Sequence, residues 1–193
     1  MRRVVYVALE ILILLTGARA ARGRGMVSAA NPDAVEAGLA VLRSGGDAVD
    51  AAVAIQLVLG LVEPQSSGIG GGAVMVRYNN ATGEIITYDG RETAPASANE
   101  SLFIGANGKP LTLQEVWRSG RAIGVPGAVA MLALAHADHG KRPWAELFEP
   151  ATRLADEGFP VAKRLRTSTE RMKRSGYRNE SKKAAAYLFD RDG

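Results

Sequence analysis

The segment from Ser67 to Glu92 constrains this chain most tightly: SGIGGGAVMVRYNNATGEIITYDGRE. A glycine cluster feeds an apolar run at residues 73–78. A polar loop follows at 79–83, and a second β-branched and aromatic run returns over 84–89. Two such runs joined by an Asn/Gly turn form a β-hairpin. Arg91 then stands just past the second strand, a planar cation at the mouth of a sheet. A guanidinium in that place is shaped to hold a carboxylate by two parallel hydrogen bonds.

The glycine cluster resembles two phosphate-binding signatures and matches neither. In a G-x-G-x-x-G reading from Gly68, the last position falls on Ala73, and an apolar strand follows instead of a helix. No G-K-[ST] follows, which excludes a P-loop. The glycines are therefore expected to permit a close backbone approach that a Cβ would block.

Flanking segments read as helices. Asn31 or Asp33 caps a first helix with Val35, Leu39 and Leu42 on one face, closed at Gly45 and Gly46. Asp47 opens AVDAAVAIQLVLGLV, which is apolar nearly all round, is expected to be buried, and stops at Pro64. Residues 91–121 are irregular apart from a short helix over 111–117. Pro126 and Gly127 open a helix that runs to Ala137 and is closed by Gly140, and Pro143 and Pro150 suit first-turn positions of short helices ending before Gly158. From Val161 the pattern is helical and polar, and the closing YLFDRDG reads as a strand entering a turn, as if the chain were cut short.

Residues 1–25 differ in kind. Arg2 and Arg3 precede an apolar run from Val4 to Leu15, followed by Ala18-Arg19-Ala20, the layout of a secretory leader. The run is too short to span a bilayer comfortably, and Glu10 interrupts it, so export to the periplasm or exterior is expected with no stable membrane span. Cysteine is absent, which excludes disulfides and thiolate metal sites. Residues 26–162 carry nine basic and fifteen acidic side chains, whereas residues 163–183 carry nine and two. That basic segment reads as a solvated helical face; its one aromatic, Tyr177, makes a poor stacking platform for nucleic acid. His136 and His139 share a helical face but lack a third ligand, so no metal site is expected.

GMVSAANPDAVEAGLAVLRSGGDAVDAAVA, EPQSSGIGGGAVMV, YDGRETAP, GVPGAVAML and PATRLADEGFPV occur in this order. Together they resemble the N-terminal part of the large subunit of the γ-glutamyltransferases, also called γ-glutamyltranspeptidases or glutathione hydrolases. The resemblance implies an α+β fold, the αββα sandwich of N-terminal-nucleophile hydrolases, present as an incomplete N-terminal fragment over residues 26–193. It implies cleavage of the γ-glutamyl amide bond of glutathione and related compounds, with transfer of the γ-glutamyl group to water or to an amino acid or peptide. The family's precursor cleaves itself, and the new N-terminal threonine of the small subunit is the nucleophile. Arg91 maps onto the arginine that binds the substrate's α-carboxylate, with Asp89, Glu92 and Thr93 keeping the surrounding pattern. No cofactor or metal is implied.

No Thr-Thr pair occurs here, so the family's Thr-Thr-His nucleophile stretch is absent; no catalytic residue is carried over, and the chain alone is expected to be inactive without the rest of the precursor. Two other readings stay open. One is a related acylase that removes glutaryl side chains from β-lactams. The other is a non-catalytic basic module acting through residues 163–183, and for Arg91 itself an ion pair with Glu92 or Asp89 is the plain structural role.

Overall fold

A computed structural model describes residues 25–175 and 182–189. Residues 1–24 of the stretch read as a leader, Tyr177 and the closing 190–193 lie outside the described residues. The region read as one from the sequence, 26–193, falls into two compact units: residues 68–138 form one, and the segments on either side of them form the other.

The flanking unit is helical. Helix α1 (Pro32–Arg43) starts where Asn31 Oδ1 accepts the Asp33 amide at 2.9 Å, with proline in the first turn. Helix α2 (Ala48–Val62) starts on a reciprocal cap: Asp47 accepts from the Val49 amide, and the Asp47 amide donates to Asp50 at 2.7 Å. The two helices pack on a stripe that the apolar pattern does not single out. Ala34, Ala37, Gly38 and Val41 are buried, while Val35, Leu39 and Leu42 are only half-buried. The reason is close approach, since a Cβ on Gly38 would lie 2.6 Å from Ile55 Cδ1. Small residues thus mark the contact, and the larger ones flank it.

Helix α2 buries Val49, Ala51, Val53, Ala54, Val58 and Val62, while Ile55, Leu57, Leu59 and Leu61 are half-buried. Ala34, Ala37, Val58 and Val62 form a core cluster, and Leu154 of α5 (Glu149–Glu157) and Phe159 pack against it. Burying each of these valines contributes about 1.5 kcal/mol or more. The carboxylate of Asp50, fully buried, also accepts the Lys141 amide at 3.2 and 3.0 Å, pinning a strand of loop to the start of α2. A 3₁₀ turn at Trp144–Phe148 follows, its two rings edge to face at 5.3 Å.

Helix α6 (Lys163–Arg174) is the solvated basic face foreseen, with Arg166 paired to Glu170 at 3.0 Å. The final described element is helix α7 (Lys182–Leu188), which makes Tyr187 and Leu188, the start of the expected strand, helical; residues 190–193 of that reading lie outside the described residues. Its KKAAAYL sequence is rich in helix formers.

The unit of residues 68–138 is built on an antiparallel hairpin, β1 (Ala73–Asn79) and β2 (Glu84–Gly90), in the register Ala73↔Gly90 to Asn79↔Glu84. Gly83 turns it in the left-handed region at φ +74°. Met75 and Tyr88 are partners on one face, where Tyr88 is buried and its hydroxyl donates to Asp138 Oδ2 at 2.9 Å. Burial, and then the Asp138 hydrogen bond, raise the Tyr88 pKa. Val74, Val76, Tyr78 and Ile85 stand exposed on the other face. Helix α3 (Leu113–Arg118) begins two residues later than its expected start, on a Thr112–Glu115 capping box. Helix α4 (Ala128–His139) begins just after Gly127 and runs two residues beyond its expected end.

Candidate functional site

Arg91 leaves the end of β2 at a place where two backbones touch. A Cβ on Gly127 would lie 2.6 Å from the Gly90 carbonyl oxygen, and one on Gly90 would lie 2.5 Å from Met131 Cβ. Glycine at both positions lets the start of α4 press against the strand. The glycine cluster joins at the same point: the Gly71 carbonyl accepts the Gly127 amide at 3.2 Å and the Ala128 amide at 3.1 Å. These are donors that the first turn of a helix leaves unpaired. Thr93 and Val125 exchange two more backbone hydrogen bonds, at 3.3 and 2.8 Å. Three segments distant in sequence are thereby tied around one arginine.

The side chain of Arg91 is 66% exposed, and its Nη2 lies 3.1 Å from Glu92 Oε2; Asp89 takes only the Arg91 backbone amide, at 2.9 Å. An exposed pair of this kind contributes about 0–1 kcal/mol, so an incoming carboxylate competes with Glu92 on nearly equal terms. Glu92 itself sits over the glycine cluster. A Cβ on Gly72 would come within 2.6 Å of Glu92 Oε2 and 2.8 Å of the Glu92 amide nitrogen. The close approach expected of the cluster therefore occurs at Gly72, while Cβ atoms on Gly68 and Gly70 would meet nothing within 4 Å.

Arg91 and Glu92 open onto a cavity of about 610 Å³, also lined by Thr93, Phe103, Arg121 and Ile123. Sequence reasoning did not single out Arg121. Thirty residues separate it from Arg91, and no periodicity links them. Among the described residues, no three His, Cys, Asp or Glu side chains gather closely enough to hold a metal ion. His136 and His139 lie half-buried on α4. No described helix is long and apolar enough to cross a membrane.

The family profile of Gamma-glutamyltranspeptidase matches residues 34–193. The chain belongs to the γ-glutamyltranspeptidase family. It is 44% identical over 137 residues to the glutathione hydrolase proenzyme of Bacillus subtilis (strain 168), covering 71% of this chain and 23% of that protein. Among solved structures, it is similar to a γ-glutamyltranspeptidase from Pseudomonas nitroreducens complexed with L-DON. The TM-score is 0.69 at 34% identity, covering 77% of this chain and 44% of the other. It is also similar to a cephalosporin acylase from Bacillus halodurans, with a TM-score of 0.57 at 30% identity, covering 75% and 27%. The fold class is accordingly that of the family's mixed helix and sheet structures, of which this chain holds a part.

Proposed function

We propose that this chain supplies the substrate-gripping part of the large subunit of a γ-glutamyltransferase, which cleaves glutathione and related γ-glutamyl compounds. The observation that carries this reading is the setting of Arg91, held at a strand end by the Gly90–Gly127 contact and opening onto a cavity. Its guanidinium would take the α-carboxylate of the glutamyl group and exchange Glu92 for it.

Cleaving an amide requires a nucleophile, a base and donors for the developing oxyanion. In the scheme the family implies, a threonine hydroxyl attacks the γ-carbonyl while its own α-amine accepts the proton, and the amine of the leaving peptide departs. Water or an acceptor amine then takes the γ-glutamyl group from the ester. This chain has no Thr-Thr pair, so that nucleophile would come from the small subunit of the same precursor. The part played by Arg91 is positioning, placing the γ-carbonyl in reach of the attacking hydroxyl. The N-terminal leader supports export of the precursor, followed by its self-cleavage.

The test is Arg91→Lys in the complete enzyme. Lysine keeps the charge and loses the fork, which costs about 2–4 kcal/mol of transition-state binding, or roughly 30- to 1000-fold in kcat/KM. An unchanged kcat/KM for a γ-glutamyl anilide removes Arg91 from the site. Likeness to a cephalosporin acylase favours the glutaryl β-lactam reading as second choice. A glutaryl chain lacks the α-amine, so faster turnover of glutaryl than of γ-glutamyl substrates by the complete enzyme selects it.

A further inference from the structure

We propose that Arg121 anchors a second carboxylate, the one at the peptide end of the donor, so that the cavity favours γ-glutamyl peptides over γ-glutamyl amides without a distal acid. The inference rests on the γ-glutamyl reading and deepens it.

Arg121 reaches the cavity of Arg91 from a 3₁₀ turn at Gly120–Ala122. Its guanidinium is already fixed on one side. Nη1 donates to the Leu102 carbonyl at 3.1 Å and to the Ile104 carbonyl at 2.9 Å, which uses both protons of that nitrogen. The edge formed by Nε and Nη2 remains, and two parallel N–H groups on one edge are the fork that a carboxylate accepts. A guanidinium held by two main-chain carbonyls loses little further freedom on binding, so such a contact is preorganised.

Charge points the same way. Arg91 has Glu92 beside it, whereas among the described residues no carboxylate lies within ion-pair distance of Arg121. Two arginines and one glutamate thus line the cavity, an excess of one positive charge. A γ-glutamyl peptide carries an α-amine, an α-carboxylate and a C-terminal carboxylate, an excess of one negative charge. A γ-glutamyl anilide has no such excess. A purely structural Arg121 would account for Nη1 alone; the open fork and the unbalanced charge call for an anion.

Steady-state kinetics of the complete enzyme test this with three donors: glutathione, glutathione amidated at its glycine carboxylate, and γ-glutamyl-p-nitroanilide. Wild type should prefer glutathione to its amide by about tenfold in kcat/KM, mostly through KM, which is the scale of one charge-assisted contact. Arg121→Gln keeps an amide donor for the two carbonyls and should erase that preference. Its loss on glutathione should exceed its loss on the anilide at least fivefold, whereas Arg91→Lys should impair all three donors. Equal losses of Arg121→Gln on all three, or no preference in wild type, overturn the assignment and leave Arg121 a loop staple. A wild-type enzyme inert on every donor overturns the γ-glutamyl reading itself, and this inference with it.

Discussion

Gly72→Ala probes the support beneath Arg91. Gly72 has no positive φ, so alanine is not excluded by backbone conformation and its effect comes from contacts. The added methyl would lie 2.6 Å from Glu92 Oε2, 2.8 Å from its Cδ and 2.8 Å from its backbone nitrogen. The carboxylate can swing aside, which would release it from Arg91, but the amide nitrogen cannot move without shifting the start of the loop. Overpacking of this kind costs about 1–3 kcal/mol. Glycine-to-alanine replacement returns about 0.4–1 kcal/mol by restricting the unfolded chain, which leaves a net loss of about 1–2 kcal/mol. At about 2–4 °C per kcal/mol for a chain of this size, thermal unfolding followed by circular dichroism should show Tm lower by about 2–8 °C. Gly70→Ala is the control, because nothing lies within 4 Å of its Cβ and its φ is not positive; it should be neutral or slightly stabilising. Combining Gly72→Ala with Glu92→Ala separates the two contacts: the double variant should recover only the part due to the carboxylate. A Gly72→Ala melt indistinguishable from that of Gly70→Ala refutes the packing argument.

Asp50→Ala should orphan the Asp47 and Lys141 amides together, costing about 2–5 kcal/mol in urea unfolding, with Asp50→Asn in between; a loss under about 0.5 kcal/mol would show that neither bond matters. Glu115 is held below its ordinary value of 4.5, first by the Thr112 hydroxyl and then by the Thr112 amide. A depressed folded value means that its stabilisation of α3 is present above pH 4.5 and is lost as pH falls through the lower folded value. NMR titration of the Glu115 carboxyl carbon and the Thr112 amide should show both changing together below pH 4.5, and a carboxyl midpoint at or above 4.5 refutes the cap.

What the sequence disclosed was mostly local. Asn31, Asp47, Pro64 and the Asn/Gly turn act through neighbours a few residues away, and each lies where the pattern puts it. The face of α1 was misread because its largest apolar residues are not its contact. Gly38 admits Ile55, and the size of that partner is not written in α1. The same limit applies to the site. Arg91 was legible as a cation closing a strand, whereas Glu92 over Gly72 and Arg121 across the cavity meet only through the fold. At the tail, the alanines before Tyr187 keep it and Leu188 helical, while the turn signal at residues 192–193 lies outside the described residues.

The hairpin links these observations. One face is covered through Tyr88 and the other presents Val74, Val76, Tyr78 and Ile85 to solvent. Two strands with an open apolar face are marginal in water. In an αββα sandwich, such a face packs on a second sheet, and this chain spans 23% of its Bacillus subtilis relative. Arg91 follows directly on β2, so whatever steadies that open face also steadies the guanidinium. On the proposed reading, covering the hairpin and completing the pocket would be one event: a second sheet that buries Val76 and Ile85 would fix the strand end that carries Arg91.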